Sequence, residues 1–155
     1  IDQSETAIQT CTDKASALGL DHARFVRGDI SEEASVAEML GSARAANDHH
    51  DERLVIYSRF VMHAIADDEE ARFLAAISQH MKSGDSVYFE FRSKEDEAME
   101  KCFGDHYRRF IDTDSFVRRL EEDNAFEVAY RITGQGMARY KTEDPFVSRI
   151  SATRR

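Results

Sequence analysis

Apolar residues recur along this chain with two different periods, and the way those periods alternate predicts its elements. Ala7, Ile8, Cys11, Ala15 and Leu18 follow Ser4 at helical spacing and stop at Gly19, which gives a helix over Ser4 to Leu18. Ile1-Asp2-Gln3 before it reads as the end of a buried strand whose acidic residue caps that helix. His22 to Val26 reads as a short strand closing at Gly28-Asp29-Ile30. Ser31-Glu32-Glu33 then caps a second helix with Val36, Met39, Leu40 and Ala43 on its apolar stripe. Leu54-Val55-Ile56-Tyr57 is apolar without alternation, as in a parallel strand covered on both faces, and is expected at the buried centre of a sheet.

A third helix is predicted from Asp67 to Met81, with Ala71, Leu74, Ala75 and Ile77 inward and Gly84 after its end. A strand over Ser86 to Phe91 follows, then the acidic stretch Ser93 to Glu100, expected to be a solvated face. Asp112 or Asp114 caps a helix bearing Phe116, Val117 and Leu120. Phe126 to Thr133 and Val147 to Ala152 are strands with no crossover helix between them, so they suit an antiparallel hairpin, and Gly134-Gln135-Gly136 reads as a turn or bulge. This order predicts a three-layer α/β fold over residues 1–155, its sheet mostly parallel and finished by an antiparallel pair.

Composition changes the picture in three ways. The 41% of apolar residues can fill one core, while 33% charged residues demand a well-solvated surface. A net charge of −9 argues against nucleic-acid binding, which needs a basic face. No run of about 18 apolar residues and no basic-then-apolar leader is present, so neither a membrane span nor a signal is expected and a cytoplasmic location follows. Cys11 and Cys102 are far apart, match no metal spacing and read as free thiols. His49-His50-Asp51-Glu52 stands in a polar loop where adjacent side chains diverge, and no metal site is expected there. Local charge opposes the acidic average: Arg59 and Arg92 end two predicted strands, and His106-Tyr107-Arg108-Arg109 forms one basic and aromatic segment.

Three motifs in this order resemble the class I S-adenosylmethionine-dependent methyltransferases, a Rossmann-like family. Ile1-Asp2-Gln3-Ser4 resembles the end of the family's second strand, whose acid holds the ribose. Gly28-Asp29-Ile30 resembles the end of its third strand, whose Asp meets the adenine amino group. Tyr57-Ser58-Arg59-Phe60, running on to His63-Ala64-Ile65, resembles the end of its fourth strand beside the reacting methyl group. Glu90-Phe91-Arg92 and His106-Tyr107-Arg108-Arg109-Phe110 are similar to a subgroup of bacterial members. The resemblance implies S-adenosylmethionine as cofactor, held by Asp2, Gln3, Asp29, Ile30 and Ser58, and methyl transfer to a small or anionic acceptor.

The family's first strand and glycine-rich loop have no counterpart in these residues. In the family that strand lies between the second and the fourth, so the sheet is expected to have a hole, to hold the cofactor weakly, and to pair its open edge with a second copy as a homodimer. His63 suits a proton acceptor near pH 7, with Arg59 beside it. Arg92, His106, Tyr107 and Arg109 are candidates for binding the acceptor. Plainer roles stand beside each of these: Asp2 and Asp29 as helix caps, His63 as a packed ring, Arg59 and Arg92 as intra-domain ion pairs, and Tyr107 with Phe110 as core anchors. A non-catalytic module with this fold, used for oligomerisation or partner binding, is the competing function.

Overall fold

A computed structural model describes residues 1–46, 52–101 and 107–155. Four helices and four strands order themselves as α1 (Glu5–Ala17), α2 (Glu33–Ala45), β1 (Val55–Arg59), α3 (Asp67–His80), β2 (Ser86–Arg92), α4 (Thr113–Arg118), β3 (Phe126–Gly134) and β4 (Val147–Arg154). The predicted His49, His50 and Asp51 loop, Cys102 and His106 lie outside the described residues.

The strands form one mixed sheet in the order β1-β2-β4-β3. β1 runs parallel to β2 with Tyr57 opposite Tyr88, and the terminal pair is antiparallel as the short connection requires. Apart from this sheet, Asp2 pairs with Arg27 in a parallel bridge: Asp2 N–H donates to Val26 O at 3.1 Å and Gly28 N–H to Asp2 O at 3.0 Å. The two acid-bearing segments of the N-terminal region are thus neighbours running the same way.

Side chains alternate across the sheet. Val87, Phe89 and Phe91 of β2 and Ile150 and Ala152 of β4 enter one core with Val36 and Leu40 of α2, Leu74 and Ile77 of α3, and Phe116 of α4. Phe116 meets Phe89 edge-on at 5.1 Å and Phe91 at 4.7 Å, contacts that fix the short α4 despite its single full turn and a half. Its last turn widens into a π-helical turn over Arg119–Asp123. On the opposite face Tyr57, Tyr88 and Tyr130 are exposed. Buried Asp85 ties three elements together: it accepts from Leu54 N–H at 2.9 Å and Lys82 N–H at 2.7 Å and pairs with Arg44.

Three expectations are corrected. Leu54 to Tyr57 is not a buried centre, because β1 is an edge strand with Val55 61% and Tyr57 67% exposed. An unbroken apolar run signals cover on both faces only where a packed layer supplies it, and Val55 and Tyr57 stand on the exposed face shared with Tyr88 and Tyr130, while the outer edge of β1 opens on a groove. The inward stripe of α3 is Glu70, Phe73, Leu74, Ala76 and Ile77 rather than one through Ala71 and Ala75. Glu70 sits in that stripe because Arg109 and Arg119 meet its two oxygens, at 2.7 and 2.6 Å. The acidic stretch after β2 is not all solvated: Asp96 is fully buried and accepts from Arg92 at 2.6 Å and Phe146 N–H at 2.9 Å.

Candidate functional site

The N-terminal carboxylates are first of all caps. Ser4 N–H donates to Asp2 Oδ1 at 2.7 Å, and Ser4 Oγ in turn accepts from Ala7 N–H at 3.2 Å to start α1. Ser31 N–H donates to Asp29 Oδ1 at 2.8 Å. That bond, with help from Gln3 and the charge of Arg72, holds the Asp29 carboxyl below the ordinary carboxylate range. Capping engages one oxygen of each group. The parallel bridge sets Asp2 beside Arg27, two residues before Asp29, so that Asp2, Gln3 and Asp29 follow one another at the same end of the paired segments.

Ile30 follows and faces β1. With Ile1 it flanks an apolar groove of about 290 Å³ along the outer side of that strand, floored by Met39, Leu40, Ala43 and Phe73. Ser58 lines the groove near the C-terminal end of β1. Its hydroxyl is buried with no hydrogen-bond partner among the described residues, a costly state for a polar atom and one that an added acceptor or donor would relieve. Phe60, just past the strand, holds a left-handed backbone at φ 60°, which a bulky residue adopts at a cost of order 1–3 kcal/mol. Its N–H is kept by Glu90 O at 2.7 Å, and its ring lies 4.8 Å from the Arg59 guanidinium.

A second cavity, of about 480 Å³, opens beyond the C-terminal ends of β1 and β2. His63 lies on its floor, 8% exposed, in the single turn Met62–Ala64. Nδ1 accepts from Arg92 N–H at 3.1 Å, which assigns the ring proton of the neutral form to Nε2. Burial, then the charges of Arg92, Arg108 and Arg109 against an opposing pull from Asp96, lower its pKa to about 4. The imidazole is therefore neutral at pH 7 and a weak base.

The arginines separate into two kinds. Arg92 gives its two terminal nitrogens to Asp96 and Glu143, at 2.6 and 2.8 Å. Arg109 donates to Ile65 O, Met62 O and Glu70 and pairs with Asp67, so it clamps the turn holding His63 to α3. Arg92 thus acts in the ion pairs that the plainer reading allowed, and Arg109, expected only as an acceptor-binding residue, is engaged in ion pairs as well. Arg59 is half exposed and donates through Nε to Glu90 at 2.7 Å, while Arg149 takes the other Glu90 oxygen at 2.6 Å. Tyr107 is exposed at the cavity rim. Arg139 and Tyr140, from the loop joining β3 to β4, also line this cavity. They repeat the basic-aromatic pairing of residues 106–109, a signal that the reading of Gly134-Gln135-Gly136 as a plain turn passed over.

No family model and no curated protein matches the chain. Solved structures do match. A SAM-dependent methyltransferase from Methanosarcina mazei shares 14% identity at TM-score 0.64 over 99% of this chain and 79% of its own. The cyclase SpnF shares 13% at 0.68 over 98% and 63%. The glycopeptide N-methyltransferase MtfA, complexed with S-adenosylmethionine, shares 13% at 0.64 over 98% and 70%. The chain spans as little as 48% of such a structure, in TehB from Haemophilus influenzae. No described helix is long and apolar enough to cross a membrane. The chain has the fold of the class I S-adenosylmethionine-dependent methyltransferases.

Proposed function

We propose that the chain carries out methyl transfer from S-adenosylmethionine to a small-molecule acceptor. The observation that supports this most is the parallel pairing that puts Asp2, Gln3 and Asp29 at one edge, with Ile30 and Ser58 lining a common groove beside the end of β1. In an open α/β sheet, ligands bind at the C-terminal ends of the strands, and paired carboxylates there suit the hydroxyls and amino group of a nucleoside. The second oxygens of Asp2 and Asp29 would take those groups, Ile30 would lie against the adenine, and the Ser58 hydroxyl would gain the partner it lacks. The cofactor would supply a sulfonium-bound electrophilic methyl group.

The chain's own residues would then position the acceptor, the chief requirement of such a displacement. His63, neutral and buried on the floor of the second cavity, would meet the acceptor as a hydrogen-bonding group rather than a strong base. Arg59, held by Glu90 and stacked on strained Phe60, stands at the boundary between groove and cavity. Calorimetric titration with S-adenosylhomocysteine tests this reading, and a folded chain that takes up none of it would sink it.

The open outer side of β1 favours a second reading, a non-catalytic module that pairs this edge with a second copy. Fold alone does not decide between them, since one fold hosts many chemistries. Light scattering separates them: a dimer that ignores S-adenosylhomocysteine supports the module, and a monomer that binds it supports the enzyme.

A further inference from the structure

We propose that the cavity beyond β1 and β2 recognises an oxyanion, carboxylate or phosphate, carried on a planar ring, with Arg59 and Arg139 meeting the anion and Tyr107 and Tyr140 flanking the ring. As a statement about the methyl acceptor it rests on the reading above; as a binding site it stands by itself.

Charge is the first argument. Among the described residues, four guanidinium side chains, Arg59, Arg92, Arg108 and Arg139, line this cavity with one carboxylate, that of Glu143, in a chain whose net charge is −9. Arg92 is neutralised by Asp96 and Glu143, so it builds the wall instead of meeting a ligand. Its bond to Glu143 also anchors the β3–β4 loop, which Gln135 and Gly136 brace by donating to Asp144 at 2.8 and 2.7 Å. The loop is thereby fixed so that Arg139 and Tyr140 border the cavity. Arg139 itself has one loose contact among the described residues, 3.4 Å to Asp144, and Arg59 donates only through Nε there. Each retains planar donors suited to a two-pronged contact with an oxyanion.

Shape is the second. About 480 Å³ lies within the range of small-molecule sites, and Phe60, Tyr107, Tyr140 and Pro145 give the cavity flat apolar walls. The basicity of His63 at the floor is lowered first by burial and then by the charges of Arg92, Arg108 and Arg109, in keeping with that excess of positive charge.

The test is calorimetric titration of the chain with 4-hydroxybenzoate, phenyl phosphate and neutral 4-hydroxybenzyl alcohol, each repeated at about 0.5 M salt to screen exposed charge. At least one anion should bind, the alcohol about tenfold more weakly or not at all, and salt should weaken the anion alone. The tighter anion identifies carboxylate or phosphate as the natural group. Arg139→Gln should lower anion affinity about fivefold, as expected of an exposed charge-assisted contact, with an unchanged circular dichroism spectrum. Arg131→Gln, an exposed residue paired with Asp114 away from the cavity, should not. Equal binding of the alcohol, or unaltered affinity in folded Arg139→Gln, overturns the assignment. Titrating the same samples with S-adenosylhomocysteine keeps the two proposals apart. Anion binding without it leaves this site standing and removes the transferase reading, and the reverse result does the opposite.

Discussion

Residues 1–30 and the β2–β4 ladder lie at opposite ends of the scale of burial. In α1 only Ala15 is buried, and Leu18 is 72% exposed. In β2 alone Val87, Phe89, Glu90 and Phe91 are buried, across from Ser148, Ile150 and Ala152 of β4. Yet the N-terminal stretch carries Asp2, Gln3 and Asp29, the groups proposed to hold the nucleoside. On that proposal the chemistry sits where the fold has least to lose, and the loosely packed region is the one a ligand would order most.

The sharpest break of this contrast is in the core. Phe116 is fully buried between Phe89 and Phe91, so Phe116→Ala should cost about 3–5 kcal/mol by urea denaturation. A loss below about 1 kcal/mol would show that α4 is not part of the cooperative unit.

Acid should act on the packed half next. His63 is driven to about pKa 4 from 6.5, so the unfolded chain binds its proton more readily than the folded one. Stability from this group is intact above pH 6.5 and falls as pH drops towards 4, by about 3 kcal/mol at the end of that window. Protonation would set a cation among Arg92, Arg108 and Arg109, with Asp96 in opposition, and would break the Nδ1 bond to Arg92 N–H. Urea midpoints measured from pH 7.5 to 4.5 check it: His63→Asn should flatten the decline, and an equal decline in that variant would assign it to other groups.

How much of this was legible depended on whether a residue's partner was near in sequence. α1, α3, β2 and the terminal hairpin follow from local period and local stops, and Asp112 caps α4 by accepting from Ser115 N–H three residues on. The inward stripe predicted for α3 omits Glu70 because its partners, Arg109 and Arg119, come from elements far along the chain; Asp96 is expected on a solvated face although Arg92, four residues before it, is one partner, the other being the distant Phe146 N–H. Arg92 and Arg109 drew attention as binding residues for the complementary reason: an arginine pattern shows its charge but not the carboxylates that neutralise it. The position of β1 was misread because a run of apolar residues specifies cover without saying what provides it. Arg139 and Tyr140 needed the loop to fold back over the ends of β1 and β2, which no local pattern encodes.

The N-terminal side of the comparison is sharpened by Asp2. Asp2→Ala should weaken S-adenosylhomocysteine binding by about 1.5–3 kcal/mol, the range for hydrogen bonds to a charged group. Its exposed carboxylate caps only one N–H, so stability should fall by about 1 kcal/mol at most. Calorimetry and urea denaturation on the same variant separate these. A large stability loss with unchanged affinity would make Asp2 a cap and nothing more.

The smallest effect is the one that best defines the boundary between the two regions. Gly19 ends α1 at φ 66°, a left-handed conformation, and a Cβ built there meets nothing within 4 Å. Gly19→Ala therefore carries backbone strain without a clash, about 1 kcal/mol, whereas Leu18→Ala beside it should change stability by less than about 0.5 kcal/mol. If α1 opens independently of the sheet, the Gly19→Ala penalty belongs to that local opening. Amide exchange in α1 should then speed up about fivefold while exchange in β2 and β4 and the global urea midpoint stay put. A midpoint that falls by the full amount would instead mean that the helix unfolds only with the core, and that the weakly buried N-terminal region is held as firmly as the ladder it is contrasted with.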